Sequence, residues 1–193
     1  MKVLWLCNVL LPEIADAAGV SGKAHSAGWI EGFLQGLRYR NDVEIGIICP
    51  FDTEITGTFE GGRYWLCGSD SYRSILDAFD PDILHVFGTE NEESNKIVTL
   101  FNKPARTIVN IQGMACLYAD VYTEGLPPRM QLRQRIFESL IKNGVLNQRD
   151  RFRLRGKVEA DTLSKVCHVI GRTDIDRMFA LHLNPTVQYH QCN

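Results

Sequence analysis

An α/β fold, with a parallel sheet carrying helices on both faces, is what this chain of 193 residues predicts. Short apolar runs rich in β-branched residues alternate with longer amphipathic stretches, the order expected when each strand crosses over through a helix to a parallel neighbour. The strand candidates are near-continuous apolar segments, as strands covered on both faces are. The length suits one domain able to bury a core of its own.

Val3 to Val9 opens the chain with such a run. Leu10 to Ser26 follows as a long loop, beyond the roughly 2–6 residues usual for this kind of connection. Ala27 to Tyr39 places Trp29, Ile30, Phe33, Leu34 and Leu37 at helical spacing. Val43 to Cys49 is a second strand stopped by Pro50, and Arg63 to Cys67 a shorter, weaker one. Tyr72 to Phe79 reads as a helix ended by Asp80-Pro81-Asp82. Ile83 to Phe87 is a buried strand ending in Gly88, and Glu92 to Phe101 a helix with Ile97, Val98 and Phe101 inward. Thr107 to Ile111 is the next strand, closed by Gln112-Gly113. Pro127 to Leu146 and Arg151 to Val166 are helical. His168 to Ile170 is a short strand, and Asp174 to Leu183 a helix stopped by Asn184-Pro185.

Composition excludes several classes of function. With 21 basic and 23 acidic residues the net charge is -2, which gives no global attraction to nucleic acid. No apolar run approaches the roughly 20 residues that span a bilayer. The six cysteines are far apart and include no CxxC pair, so zinc-ribbon and thioredoxin-type motifs are missing. They read as reduced and mostly buried, pointing to the cytoplasm. No cluster of carboxylate, cysteine or histidine ligands has metal-site spacing, and no metal is expected.

In an open α/β sheet ligands bind beyond the carboxyl ends of the strands. Four strand ends here are polar or glycine-rich: Asn8 onward, His85 to Glu90, Asn110 to Gly113, and Gly171 to Asp174. Taken singly, Thr89 and Thr173 are also plain helix caps; four such tips on one edge favour a site. The first loop is neither a P-loop nor a dinucleotide fingerprint. Ala17 stands where the first P-loop glycine belongs, Ala24 follows Lys23, and no GxGxxG follows the strand. What remains is a small-residue helix start, Ser26-Ala27-Gly28, whose free N–H groups can approach an anion, or a loop packed on the sheet. His85 fits both a core position and a cleft position. Arg129 to Lys157 holds nine of the 21 basic residues, either as a solvated helix face or as a patch for anionic lipid or a phosphorylated acceptor.

Pro81-Asp82-Ile83-Leu84-His85-Val86-Phe87-Gly88-Thr89-Glu90 resembles the "PDvvHvhGt" strand of the retaining glycosyltransferase family 4. Ser26-Ala27-Gly28-Trp29-Ile30 is similar to the Gly-Gly-Trp start of that family's first helix. Gly171-Arg172-Thr173-Asp174-Ile175-Asp176-Arg177 is similar to its "GRTxWDR" segment, and Asn184-Pro185 through Tyr189-His190-Gln191-Cys192-Asn193 to the "NP…YyhcNE" stretch that follows. Three positions depart from the pattern: Ala27 for a glycine, Phe87 for a frequent second histidine, and Ile175 for a tryptophan.

The resemblance implies the Rossmann-like N-terminal, acceptor-binding domain of a two-domain GT-B enzyme acting in bacterial cell-surface polysaccharide synthesis. It implies no cofactor. The nucleotide sugar is a substrate, held mainly by a C-terminal domain that these residues do not include. Because the chain stops inside the last motif, it is expected to be a fragment, inactive alone. The resemblance puts the backbone of Ala27 and Gly28 near the donor phosphate and His85 beside the reacting sugar as the catalytic candidate. It puts Thr89, Glu90, Gln112, Gly113, Arg172 and Asp174 around a carbohydrate or lipid-linked acceptor, with peripheral membrane contact through Arg129–Lys157. The alternative is a free-standing, non-catalytic α/β ligand-binding or regulatory module. The missing fingerprint disfavours a sugar-nucleotide dehydrogenase or epimerase.

Overall fold

The computed structural model describes residues 1–24, 28–138 and 144–192. One sheet contains β1 (Lys2–Cys7), β2 (Glu44–Pro50), β3 (Ile55–Phe59), β4 (Gly62–Cys67), β5 (Ile83–Phe87), β6 (Thr107–Asn110), β7 (His168–Gly171) and β8 (Gln188–Gln191). The helices are α1 (Pro12–Ala17), α2 (Gly28–Arg38), α3 (Tyr72–Phe79), α4 (Glu92–Phe101), α5 (Ala115–Val121), α6 (Pro128–Glu138), α7 (Val145–Ser164) and α8 (Asp174–Leu183). Strand order is β3-β4-β2-β1-β5-β6-β7-β8. Every pairing is parallel except the β3–β4 hairpin. The chain is therefore an α/β protein with a Rossmann-like sheet.

Alternation along β1 divides the core in two. Val3, Trp5 and Cys7 point to one face, where they meet Ile14 of α1 and Ile30 and Leu34 of α2. Leu4 and Leu6 point to the other, where Tyr72, Ile75 and Phe79 of α3, Ile97 and Val98 of α4 and Phe179 of α8 cover them. Burying a side chain such as Phe79 or Leu4 contributes about 1.5–3 kcal/mol each, which is why these spacings hold the helices to the sheet. Among the described residues no helix is long and apolar enough to cross a membrane.

Several boundaries differ from the expectations. The segment from Leu10 onward is no plain loop: α1 and a 3-10 turn (Ser21–Lys23) occupy it. Pro12 starts α1, where its missing N–H is harmless, and Leu10, Leu11, Ile14 and Ala15 are buried. Pro50 does not stop β2 but is its last residue, in register with Cys67, a position that proline tolerates. The weak strand at 63–67 has a hairpin partner, β3, and the tail carries β8 on the edge beside β7. The long helix expected to run from 127 to 146 ends its described part at Glu138, and α7 starts at Val145 after Gly144 as N-cap. Residues 139–143 lie outside the described residues.

Candidate functional site

The chain leaves β1 toward β2 on one side and returns to β5 on the other, so β1 and β5 flank the point where strand order reverses. Ligands of open α/β sheets bind outside the strands' carboxyl ends at such a point. Asn8 follows β1 there, and its Nδ2 donates to Gln112 Oε1 at 2.6 Å. Gly88 follows β5 with φ +94°, a conformation that side chains rarely adopt. A Cβ at that position would lie 3.1 Å from Asn8 Nδ2, 3.2 Å from Gln112 Oε1 and 3.4 Å from Asn91 Nδ2. Glycine thus lets three carboxamides gather over the strand tips.

A cavity of about 870 Å³ opens beside this cluster. Its wall is the face of α2 bearing Trp29, Phe33 and Leu37, with Gly28, Gly32 and Gly36 between them, and its other lining residues include Asn8, Asn110, Gln112, Arg172 and Cys192. Trp29 is held edge-on to Phe33 and Phe87 at 6.3 and 5.4 Å between ring centroids. Among the described residues, the lining side chains are neutral except Arg172. An apolar wall facing a few convergent polar groups is the usual make-up of a small-molecule site. Carboxamides, each offering donors and an acceptor, suit a ligand rich in hydroxyls.

His85 lies under this cavity, 7% exposed. Its Nε2 bonds to Asn110 Oδ1; a carbonyl oxygen only accepts, so Nε2 carries the proton and Nδ1 is the free lone pair. Trp5, Phe33 and Phe87 surround the ring, with centroids 5.9, 6.4 and 4.3 Å away. Burial in this aromatic cage pushes the imidazole down to about 4, against the opposing pull of the Asn110 bond. At neutral pH His85 is an uncharged hydrogen-bonding group.

The sequence-derived candidates divide by position. Gly28, Gln112 and Arg172 line the cavity, and His85 lies below it through Asn110, which does line it. Ala27 lies outside the described residues. Gly113 turns toward Tyr118, whose ring would be 3.3 Å from a Cβ there. Asp174 is exposed in the first turn of α8. Thr173 caps that helix, accepting from Asp176 N, while Asp176 accepts from the N–H groups of Arg172 and Thr173.

Thr89 and Glu90 face α7. Thr89 Oγ1 donates to Glu159 Oε1 at 3.1 Å, and Arg155 pairs with Glu90 at 2.7 Å. Glu159 also accepts from Cys116 N at 3.2 Å, tying α5, α7 and the β5 tip together. Its carboxyl is raised above the ordinary range by burial, which outweighs the lowering by these hydrogen bonds. No local signal in the sequence singles out Glu159. The α2 wall was legible as an apolar stripe, but only Ile30 and Leu34 of it are buried; Trp29, Phe33 and Leu37 serve the cavity.

Of the basic segment, Arg155 pairs with Glu90 and Arg149 with Asp150 at 3.0 Å; Lys142 lies outside the described residues. Among the described residues, no group of three or more His, Cys, Asp or Glu converges to hold a metal. Fold and geometry together define an α/β protein with a carboxamide-rimmed cavity at its switch point. No protein-family model matches the chain, and no curated protein matches it.

Proposed function

We propose that the chain is the acceptor-side domain of a retaining glycosyltransferase, one that moves a sugar from a nucleotide-sugar donor to a hydroxyl of a carbohydrate or lipid-linked acceptor in bacterial cell-surface polysaccharide synthesis. The observation that carries this reading is convergence. Segments far apart in sequence that resemble glycosyltransferase family 4 meet around one cavity: Gly28–Ile30 on its wall, Gly171–Arg172 and Cys192 on its rim, and His85 beneath. The lining supports the same division of labour. Among the described residues it offers hydroxyl-binding carboxamides and the cation of Arg172. In this reading the donor diphosphate is held chiefly by a second domain, and His85 is a neutral positioning group next to the reacting sugar.

Membrane proximity belongs to the same proposal. Eight of the 13 exposed large apolar side chains among the described residues lie between Leu117 and Leu154, on α5 and its C-cap Tyr122, α6 and α7. They share this region with Arg129, Arg133, Arg135, Arg151 and Arg153. Basic side chains mixed with exposed Leu, Ile, Met and Tyr suit the headgroup layer of an anionic bilayer, on the cytoplasmic side where lipid-linked acceptors would be met. Sedimentation with phosphatidylglycerol vesicles should decline when these arginines become glutamine; undiminished binding refutes the membrane part.

Saturation-transfer NMR with a panel of saccharides and nucleotide sugars tests the site. Saccharides should receive saturation, Asn8→Ala and Gln112→Ala should abolish it, and nucleotide sugars should bind weakly. Tight nucleotide-sugar binding by this chain, or a non-catalytic ligand unrelated to sugars, would contradict the assignment.

A further inference from the structure

On the sheet face that α1 and α2 cover over β1, β2 and β5, the last two strands bring two histidines together. His168 starts β7, and His190 lies on β8 in register with Ile170, two residues further along the same face. His168 Nδ1 and His190 Nε2 are 3.1 Å apart, with ring centroids at 5.3 Å. Two imidazoles bound to one tetrahedral zinc at about 2.0–2.1 Å hold their nitrogens roughly 3.3 Å apart. The pair is thus already spaced as a chelate, and both strands are fixed by ladder pairing, β7 on both sides.

We propose that His168 and His190 bind a borderline divalent transition ion, Ni²⁺, Cu²⁺ or Zn²⁺, through Nδ1 and Nε2. Imidazole prefers these ions to Mg²⁺ or Ca²⁺. The proton now shared between the rings moves to the outer nitrogen of the ring that carries it, so both facing nitrogens become free to ligate and no net charge is lost. No carboxylate lies within ion-pair distance of either ring among the described residues, so no salt bridge competes for them. His190 and its neighbour Gln188 are exposed, and no third His, Cys, Asp or Glu among the described residues joins the pair. The remaining positions fall to water, which makes this an open, exchangeable site, unlike the closed four-ligand sites that hold structural zinc. Neither histidine is among the residues that line the cavity, and the metal site does not depend on the glycosyltransferase reading.

Calorimetric titration of tag-free, chelator-treated protein with NiCl₂ and with ZnCl₂ tests it. One ion per chain is expected, with no heat from MgCl₂. His190→Gln, an exposed change that leaves the core untouched, should weaken Ni²⁺ binding at least tenfold, and His168→Gln should do the same. His182→Gln, on α8, should leave it unchanged, and circular dichroism should confirm that every variant is folded. Equal Ni²⁺ isotherms for the wild type and folded His190→Gln, or no binding of either ion at millimolar concentration, overturns the proposal.

Discussion

Acidification from pH 6.5 to pH 4 should weaken this fold by about 3 kcal/mol through His85 alone. In the folded chain the imidazole titrates at about 4 because burial among Trp5, Phe33 and Phe87 disfavours its cation. In the unfolded chain it titrates near 6.5. Across that window the unfolded state binds the proton and the folded state does not, so stability present above pH 6.5 is lost as the pH falls toward 4. A gap of roughly 2.5 pH units at about 1.4 kcal/mol per unit gives about 3.5 kcal/mol in full, of which about 3 is gone by pH 4 and about 2.5 by pH 4.5. Against a typical total of about 5–15 kcal/mol this is large. The assay is urea unfolding at pH 7.5, 6.5, 5.5 and 4.5 for the wild type and His85→Gln. Glutamine still donates to Asn110 but does not titrate. The difference between the two proteins cancels the other groups, among them Glu159, whose raised carboxyl works in the opposite direction by favouring the fold as the pH drops. Parallel pH profiles for the two proteins would refute the buried, neutral histidine.

Gly88→Ala forces a side chain onto a φ of +94°, a strain of about 1–3 kcal/mol; for a chain of this size the midpoint of a thermal melt should fall by roughly 2–10 °C. Gly156→Val brings a side chain to 2.9 Å from the backbone N and Cα of Cys116, so α5 should separate from α7, with faster hydrogen exchange at 115–121 as the readout. Glu159→Leu leaves the Thr89 hydroxyl and Cys116 N–H without their acceptor and should lower stability by about 1–3 kcal/mol in urea. Glu159→Gln should be much milder, since the amide oxygen can still accept and the raised carboxyl is already biased toward its neutral form.

The α/β order and three helices are readable to the residue. Tyr72–Phe79, Glu92–Phe101 and Asp174–Leu183 each present one apolar stripe and end at Asp80, Asn102 or Asn184, residues that stop helices. The elements that escape reading lack such a stripe. β3 and β8 are edge strands in which exposed and half-buried residues mix, and α1 and α5 are six and seven residues long, too short for periodicity to register. The strand-tip edge is legible because polar and glycine residues follow each apolar run. Which tips face the cavity is not, because it depends on tertiary placement. Arg155 and Glu159 arrive on a helix some seventy residues later and turn Thr89 and Glu90 away from the cavity.

The proposed binding of a saccharide at the switch-point cavity is read most directly from the carboxamide side chains there. In a titration of ¹⁵N-labelled protein followed by NMR, the side-chain NH₂ signals of Asn8, Asn110 and Gln112 should shift together and saturate as saccharide is added. Shifts confined to other surfaces, or none at these three residues while saccharide is bound, would rule out saccharide binding in this cavity.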